Sequence, residues 1–121
     1  MEKTKITEVF ITALKITAED KWFENWIKEK GGGILTSPQY LCLIGDVEPL
    51  KDWMTFRKIN WQDRCNKILS LKEDIRRNGQ KNPIFIYKDM RINNGHKRAA
   101  AMAYLGYNKV RAVVVSDNYK L

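Results

Sequence analysis

The chain has 121 residues and a net charge of +8, enough for one domain built around one modest hydrophobic core. Its composition, 44% hydrophobic and 30% charged, is that of a globular protein rather than a disordered one. No apolar run approaches the roughly 20 residues of a membrane-spanning helix, and the N-terminus lacks the pattern of a secretory signal. We therefore expect a cytoplasmic protein with no membrane partner.

The positive charge is unevenly distributed. Residues 1–60 carry nine basic and nine acidic side chains, whereas residues 61–121 carry thirteen basic and five acidic ones. All of the net charge therefore lies in the second half, which favours a polyanionic partner, either a nucleotide or a nucleic acid. The alternative is a solvated basic surface that only aids solubility.

Two cysteines, Cys42 and Cys65, stand 23 positions apart with no second pair. This spacing is typical neither of a zinc site nor of a disulfide framework. We expect both to be reduced thiols in or near the core.

The N-terminal third predicts a strand, a helix and a linker. Thr, Ile, Val and Phe dominate around 8–14, which favours a strand. A helix over about 18–30 would begin at a loose capping box formed by Thr17 and Asp20. Helical spacing places four apolar side chains on its core face, namely Trp22, Phe23, Trp26 and Ile27. The three glycines at 31–33 end it, and we interpret them as a flexible linker.

The middle of the chain predicts a turn and then two helices. Residues 37–40 indicate a turn that leads into the short apolar run 41–44. Pro49 suits the first turn of a helix over about 48–57, which would turn Leu50, Trp53, Met54 and Phe56 inward. A second helix would begin after the cap residue Asn60 and run to about residue 78, with Ile68, Leu71 and Ile75 at helical spacing. Gly79 would end it.

The last third predicts a hairpin, a helix and a strand. Pro83 precedes a strand over 84–87, a turn at 88–90 and a short return over 91–93. An alanine-rich helix over about 96–105 follows, and Gly106 ends it. Residues 110–115 are predicted to form a final strand, followed by a polar tail over 116–121. The whole chain is predicted to be a single α/β (α+β) domain, a small mixed sheet with packed helices.

The most informative stretch lies between that return strand and the helix. Gly95 allows a sharp turn and a close approach to a ligand, and His96, Lys97 and Arg98 follow where the helix begins. Helix N-termini bind anions because their N–H groups are unpaired and carry the positive end of the dipole. Arg98 suits a bidentate phosphate contact, with Lys97 beside it.

Two neighbouring polar residues have alternative roles. His96, the only histidine, could donate to a phosphate or act as a general acid or base, or it could only close the turn with a structural hydrogen bond. Asn94 could contact a ribose or a metal, but we expect it to cap the helix.

Residues 68–115 resemble the ParB/sulfiredoxin superfamily. The resemblance rests on a helix that ends at Gly79, the segment Gln80-Lys81-Asn82-Pro83-Ile84, a hairpin, the motif Asn94-Gly95-His96-Lys97-Arg98-Ala99-Ala100-Ala101, then Leu105-Gly106 and a Val-rich strand. Residues 1–60 match more loosely, through a first strand and the segments Ser37-Pro38-Gln39-Tyr40 and Gly45-Asp46.

The resemblance implies a nucleotide site, because Gly-x-x-Arg contacts nucleotide phosphates in such families. It assigns this role to Gly95, His96, Lys97 and Arg98, with Lys81, Asn82 and Pro83 helping to line the pocket. The implied cofactor is an NTP, ATP or CTP, with Mg²⁺. The family includes CTP-dependent DNA clamps, an ATP-dependent cysteine sulfinic acid reductase and a free-serine kinase.

The chain departs from each of these members. His96 stands where the reductase has its catalytic cysteine, and His96-Lys97 replaces the Glu-Arg of the clamps. The kinase motif Asp-Gly-His-x-Arg is closest, but Asn94 replaces its aspartate, so a kinase would need another carboxylate such as Asp46 or Glu48. We also expect no centromere recognition, since the DNA-reading and dimerisation domains of the clamps are not matched.

Three functional hypotheses follow. The first is an NTP-binding domain that hydrolyses the nucleotide, transfers its phosphoryl group or switches when it binds. The second is a DNA- or RNA-binding accessory protein without catalysis, which would use Arg76, Arg77, Lys81, Arg91 and Lys97. The third is a family member that has lost its ligand and acts by protein contact. The oligomeric state, including a dimer, is left open.

Overall fold

The computed structural model describes residues 5–117. Its strands are β1 (Ile6–Phe10), β2 (Ile84–Tyr87), β3 (Ile92–Asn94) and β4 (Lys109–Val115). Its α-helices are α1 (Lys21–Lys30), α2 (Pro38–Leu43), α3 (Glu48–Arg57), α4 (Trp61–Asn78) and α5 (His96–Tyr104). Single 3₁₀ turns occur at Ile11–Ala13 and Ile34–Thr36.

The four strands form one mixed sheet in the order β1-β4-β2-β3. β4 pairs antiparallel with β1 and parallel with β2, and β2 and β3 form an antiparallel hairpin. The parallel pair requires a crossover, which α5 supplies between β3 and β4. The predicted fold class, a small mixed sheet with packed helices, is confirmed.

Alanines allow α5 to lie close against the sheet. Ala99, Ala100 and Ala101 are fully buried, as are Ile84 on β2 and Ala112 on β4. The register of the β2–β3 hairpin shifts between Phe85 and Ile86, next to the end of β3 where the chain turns into α5. Irregularities of this kind redirect a strand end.

The predicted bounds of the first two elements are wrong. The strand predicted over 8–14 ends at Phe10, because a 3₁₀ turn then carries the chain into the core. The helix predicted from residue 18 begins at Lys21, and Asp20 alone caps it by accepting a hydrogen bond from the N–H of Phe23 at 2.9 Å. The Thr17 hydroxyl instead donates to the carbonyl of Ile92.

Two loop predictions are also wrong. The turn predicted over 37–40 is the start of α2, where the Ser37 hydroxyl accepts a hydrogen bond from the N–H of Tyr40. The glycines at 31–33 are not a flexible linker, because the Gly32 carbonyl accepts a 2.7 Å hydrogen bond from the N–H of Ile16. Gly33 also forms a β-bridge with Lys15. Tertiary pairing thus fixes a segment whose composition suggests mobility.

The longer helices match their sequence signals. α3 carries Pro49 in its first turn, and the Asn60 side chain caps α4 by accepting from the N–H groups of Gln62 and Asp63. Gly79 ends α4 with a φ of 74°. The predicted inward residue Phe56 is instead 52% exposed, whereas Trp53 and Met54 are fully buried.

The remaining elements agree with their predictions to within one residue at each end, as β2, β3, α5 and β4 show. Most of the predicted polar tail, residues 118–121, lies outside the described residues. None of the helices within residues 5–117 combines the length and apolarity that crossing a membrane requires.

The two cysteines lie next to each other in space. The Sγ atoms of Cys42 on α2 and Cys65 on α4 are 3.1 Å apart, at hydrogen-bond distance, and both are free thiols. Burial, followed by the hydrogen bond with Cys65, raises the pKa of Cys42 to about 12. The expected location in or near the core is confirmed, whereas the spacing in sequence does not reveal the contact.

The turn before α5 leaves no room for a side chain. Gly95 has a φ of +120°, and a Cβ at this position would lie 2.5 Å from Cγ2 and 2.7 Å from Cβ of the buried Ile84. Both the backbone conformation and the contact therefore require glycine.

We expect Gly95→Ala to lower the free energy of unfolding by at least about 2 kcal/mol, because strain at positive φ adds to overpacking. Urea denaturation would measure this. Gly33→Ala is the matched control, since Gly33 has a φ of −85° and open space around its Cβ position. Equal midpoints for the two variants would contradict the prediction.

Candidate functional site

A cleft of about 480 Å³ lies at the N-terminus of α5. Its walls include the segment 93–98, the loop residues Thr17 and Glu19, and side chains from α2, α3 and α4. The predicted motif residues Asn94, Gly95, His96, Lys97 and Arg98 all line this single cleft.

The first turn of α5 has no side-chain cap. Gly95 occupies the N-cap position, and no side chain accepts a hydrogen bond from the first N–H groups of the helix. Asn94, predicted to be the cap, is the last residue of β3 and does not cap α5. An uncapped first turn leaves N–H donors available for an anion.

The cationic side chains in the cleft differ in their pairing. Within residues 5–117, neither Lys97 nor Arg98 forms a hydrogen bond or an ion pair. Arg57 Nη1 lies 3.5 Å from Glu19 Oε1, and the Arg64 guanidinium lies 5.9 Å from the centroid of the Trp53 ring. The side chains of Lys97 and Arg98 therefore have no direct ion-pair partner, although Glu19 and Asp74 lie near enough to interact with Lys97 and Arg98, respectively, through charge.

The charges around Lys97 also favour an anion in the cleft. Burial, and then the neighbouring cations Arg64 and Lys67, lower the pKa of Lys97, while Glu19 opposes them. An anion in the cleft would relieve this repulsion between like charges.

His96 is held by the backbone of the segment before α1. Its Nε2 accepts a hydrogen bond from the N–H of Thr17 at 3.2 Å, and the Thr17 hydroxyl donates to the Ile92 carbonyl at 2.6 Å. Burial, followed by the charge of Lys97, lowers the pKa of His96 to about 4. At neutral pH the ring is therefore neutral, with its proton on Nδ1. Of the predicted roles, the structural hydrogen bond is the one that this geometry favours.

The segment before β2 does not reach the cleft. The Lys81 ammonium lies 3.0 Å from the Asp74 carboxylate, and the Asn82 carbonyl accepts a hydrogen bond from Gln80. These two residues and Pro83 are absent from the cleft walls.

The residues proposed for nucleic-acid binding are mostly paired already. Four of the five form ion pairs with nearby carboxylates: Arg76 and Arg77 with Glu73, Lys81 with Asp74, and Arg91 with Asp89. The fifth, Lys97, is the only one of them that lines the cleft. Four of the five proposed residues are thus engaged locally, although residues 61–121 carry thirteen basic side chains against five acidic ones, so net positive charge remains outside the cleft.

The opposite wall of the cleft was not predicted. Gln39 from α2, Arg57 from α3 and Arg64 from α4 come from elements that are distant in sequence. Arg57 and Arg64 lie in ordinary helical patterns and Gln39 lies in a segment predicted to be a turn, so no local signal marks them as site residues. Conversely, Asp46 and Glu48, considered as substitute carboxylates for a kinase, line a different cavity.

The oxygen ligands for a metal are few. Within residues 5–117, no group of three or more His, Cys, Asp or Glu side chains is arranged to hold a metal ion. Glu19 is the carboxylate in the cleft walls, and it faces Arg57. A Mg²⁺ ion here would therefore depend on the phosphate oxygens of a ligand, as Mg²⁺ does in many nucleotide sites.

Acidification should destabilise the protein through His96. Its pKa is about 4 in the folded chain against 6.5 for a free histidine, so the unfolded state binds more protons between these values. The contribution of His96 should be constant above about pH 7 and should fall as pH decreases from 6.5 towards 4, by up to about 3 kcal/mol.

Urea midpoints between pH 7.5 and 5 would measure this loss. The carboxylates with lowered pKa values, Glu73, Asp74 and Asp89, contribute only at lower pH. In His96→Gln, which cannot titrate, the midpoint should change little over this range. A wild-type slope that persists in the variant would contradict the assignment.

Searches of protein-family models and of curated proteins find no match for this chain. A comparison with solved structures finds a Pnob8-like ParB-N domain at 17% sequence identity and a TM-score of 0.48. The alignment covers 96% of this chain and 31% of the other, so the chain spans about a third of that protein's length.

Proposed function

We propose that the cleft binds the phosphate groups of a nucleoside triphosphate. The observation that carries this proposal is the convergence of three anion-binding features on one cleft: the uncapped N-terminus of α5 and the unpaired side chains of Lys97 and Arg98. Nucleotide phosphates are the ligand that the sequence resemblance implies, and they match these donors in charge and geometry.

Each motif residue has a distinct role in this proposal. Gly95 brings the backbone close to the ligand, and the N–H groups of the first turn of α5 donate to phosphate oxygens. The planar guanidinium of Arg98 binds two oxygens of one phosphate, and Lys97 adds a point charge. His96 positions the turn through Thr17 and can donate from Nδ1, and Asn94 lies at the rim next to the ribose.

Mg²⁺ would enter with the nucleotide and neutralise part of its phosphate charge. Glu19 is the carboxylate that lines the cleft and would be the protein oxygen donor to the ion or to its hydration shell. The ion's affinity should therefore depend on the triphosphate.

The residues of the cleft support nucleotide binding better than they support hydrolysis or phosphoryl transfer. Phosphoryl transfer needs a group that orients or deprotonates the nucleophile. Among the described cleft residues, Glu19 and His96 could deprotonate a nucleophile, but both already have partners. Glu19 pairs with Arg57, and His96 Nε2 accepts a hydrogen bond from the N–H of Thr17. We therefore propose a nucleotide-binding module, in which ligand occupancy ties α5 to the elements across the cleft.

Titration calorimetry with ATP, ADP, CTP and GTP, each with Mg²⁺, tests the proposal. We expect wild type to bind at least one triphosphate, and Arg98→Ala to weaken that binding at least about tenfold, because a charge-assisted contact contributes about 1.5–3 kcal/mol. Arg76→Ala is the matched control, since it also removes one positive charge from a helix but lies outside the cleft and pairs with Glu73.

Absence of binding by all four nucleotides would overturn the proposal. An equal loss in both variants would indicate a general charge effect instead of a pocket. Binding of duplex or single-stranded DNA, measured from 50 to 200 mM salt, separates the nucleic-acid alternative, whose affinity should fall steeply with salt. Nucleotide binding should depend less on salt and more on Arg98.

A further inference from the structure

The cleft contains two buried acceptors that have no hydrogen-bond partner. Gln39 on α2 is only 2% exposed, and its Oε1 is enclosed and unpaired. Oδ1 of Asn93 on β3 is likewise enclosed and unpaired. Both residues line the cleft at the N-terminus of α5. Among buried side-chain atoms of residues 5–117, these are the two oxygens left unsatisfied.

Buried acceptors without a partner destabilise the fold, so the presence of two of them in one cleft suggests that a ligand supplies their partners. An amide oxygen removed from water without a partner destabilises the fold by an amount comparable to a lost hydrogen bond. Native structures contain few such groups, and those they contain are associated with strain, with a functional role, or with a bound water or ion. Here both orphan oxygens belong to side chains that line the cleft, which the proposed function already assigns to a ligand. Because the oxygens are enclosed, each amide must turn towards the cleft to accept a hydrogen bond from that ligand.

Their chemistry is opposite to that of the phosphate site. The α5 N–H groups, Lys97 and Arg98 supply donors and positive charge, which suit an anion. Gln39 Oε1 and Asn93 Oδ1 are acceptors, so a phosphate oxygen cannot satisfy them. The ligand must therefore carry hydrogen-bond donors as well as negative charge.

We propose that Gln39 and Asn93 bind the hydrogen-bond donors of the nucleoside, which are ribose hydroxyls or an exocyclic amino group of the base. This inference rests on the proposed function and makes these two residues the specificity determinants of the same cleft. They select a phosphorylated ligand with a donor-bearing nucleoside over inorganic phosphate, pyrophosphate or a nucleotide that lacks the donor.

The positions of both residues are fixed by structure around them. Asn93 stands two residues before Gly95, within about 7 Å along the chain, which is the reach from a bound phosphate to its ribose. Its Nδ2 donates to the Tyr87 hydroxyl at 2.8 Å, which orients Oδ1 away from that contact. Gln39 lies in the first turn of α2, which Ser37 caps and which packs against α5.

Gln39→Met is the central test, because methionine is similarly long and unbranched but carries no amide oxygen. We expect its affinity for the preferred nucleotide to fall about 5- to 30-fold, the effect of one lost hydrogen bond to a buried acceptor. Ligand-free Gln39→Met should unfold at the same urea concentration as wild type or a higher one, since an unpaired buried acceptor has been removed. A purely structural glutamine would give the opposite result on stability.

Pairs of nucleotides that differ in one hydrogen-bond donor identify the group that Gln39 and Asn93 bind. Calorimetry would compare ATP with ITP and CTP with UTP, which exchange the base amino group for a carbonyl, and ATP with 2′-deoxy-ATP and 3′-deoxy-ATP. Wild type should discriminate within at least one of these pairs, and Gln39→Met or Asn93→Leu should lose that discrimination. Tyr87→Phe controls for the bond that Asn93→Leu also removes, and it should retain the wild-type preference.

The outcomes separate this inference from the proposed function. If wild type binds nucleotide and Arg98→Ala does not, but Gln39→Met and Asn93→Leu bind every ligand as wild type does, the inference is overturned and the phosphate site stands. An equal loss for all nucleotides that disappears without Mg²⁺ would also overturn it, because the oxygens would then be metal ligands. No nucleotide binding by wild type would overturn both.

Discussion

A side chain at position 95 would place its Cβ 2.5 Å from Cγ2 of Ile84, and this contact sets how α5 meets the sheet. The absence of a Cβ lets the chain leave β3 at a φ of +120° and enter the helix directly above β2. The buried alanines of α5 then keep the helix close to the sheet along its length. The position of the helix N-terminus, and of the cleft around it, depends on this packing.

The cleft gathers polar groups that have no partner among the described residues. Asp20, Ser37 and Asn60 cap α1, α2 and α4 with their side chains, whereas α5, like α3, begins without a side-chain cap. The same region contains unpaired cations and two unpaired amide oxygens. A cluster of polar groups without protein partners is typical of functional sites, because a ligand supplies the missing partners. The backbone bond from Thr17 to His96 holds the region together without using those groups.

Local signals were sufficient for most of the second half of the chain. Asn60 and Gly79 delimit α4, Pro83 precedes β2, and Gly95 separates β3 from α5, because caps and breakers act on their immediate neighbours. The first half was predicted less well. The apolar run after Phe10 enters the core through a 3₁₀ turn that packs against the second 3₁₀ turn, and the segment after Ser37 forms a helix that packs against α4 and α5.

The sequence by itself determined the half of the candidate site that we propose for phosphate, because Gly95, His96, Lys97 and Arg98 are consecutive and their chemistry follows from a turn and a helix start. Local spacing also accounts for the ion pairs of Arg76 and Arg77 with Glu73 and of Arg91 with Asp89. Tertiary structure brought Gln39 to the cleft and Cys42 to Cys65. These contacts join residues far apart in the chain, and their distances depend on how helices pack, which no local pattern encodes.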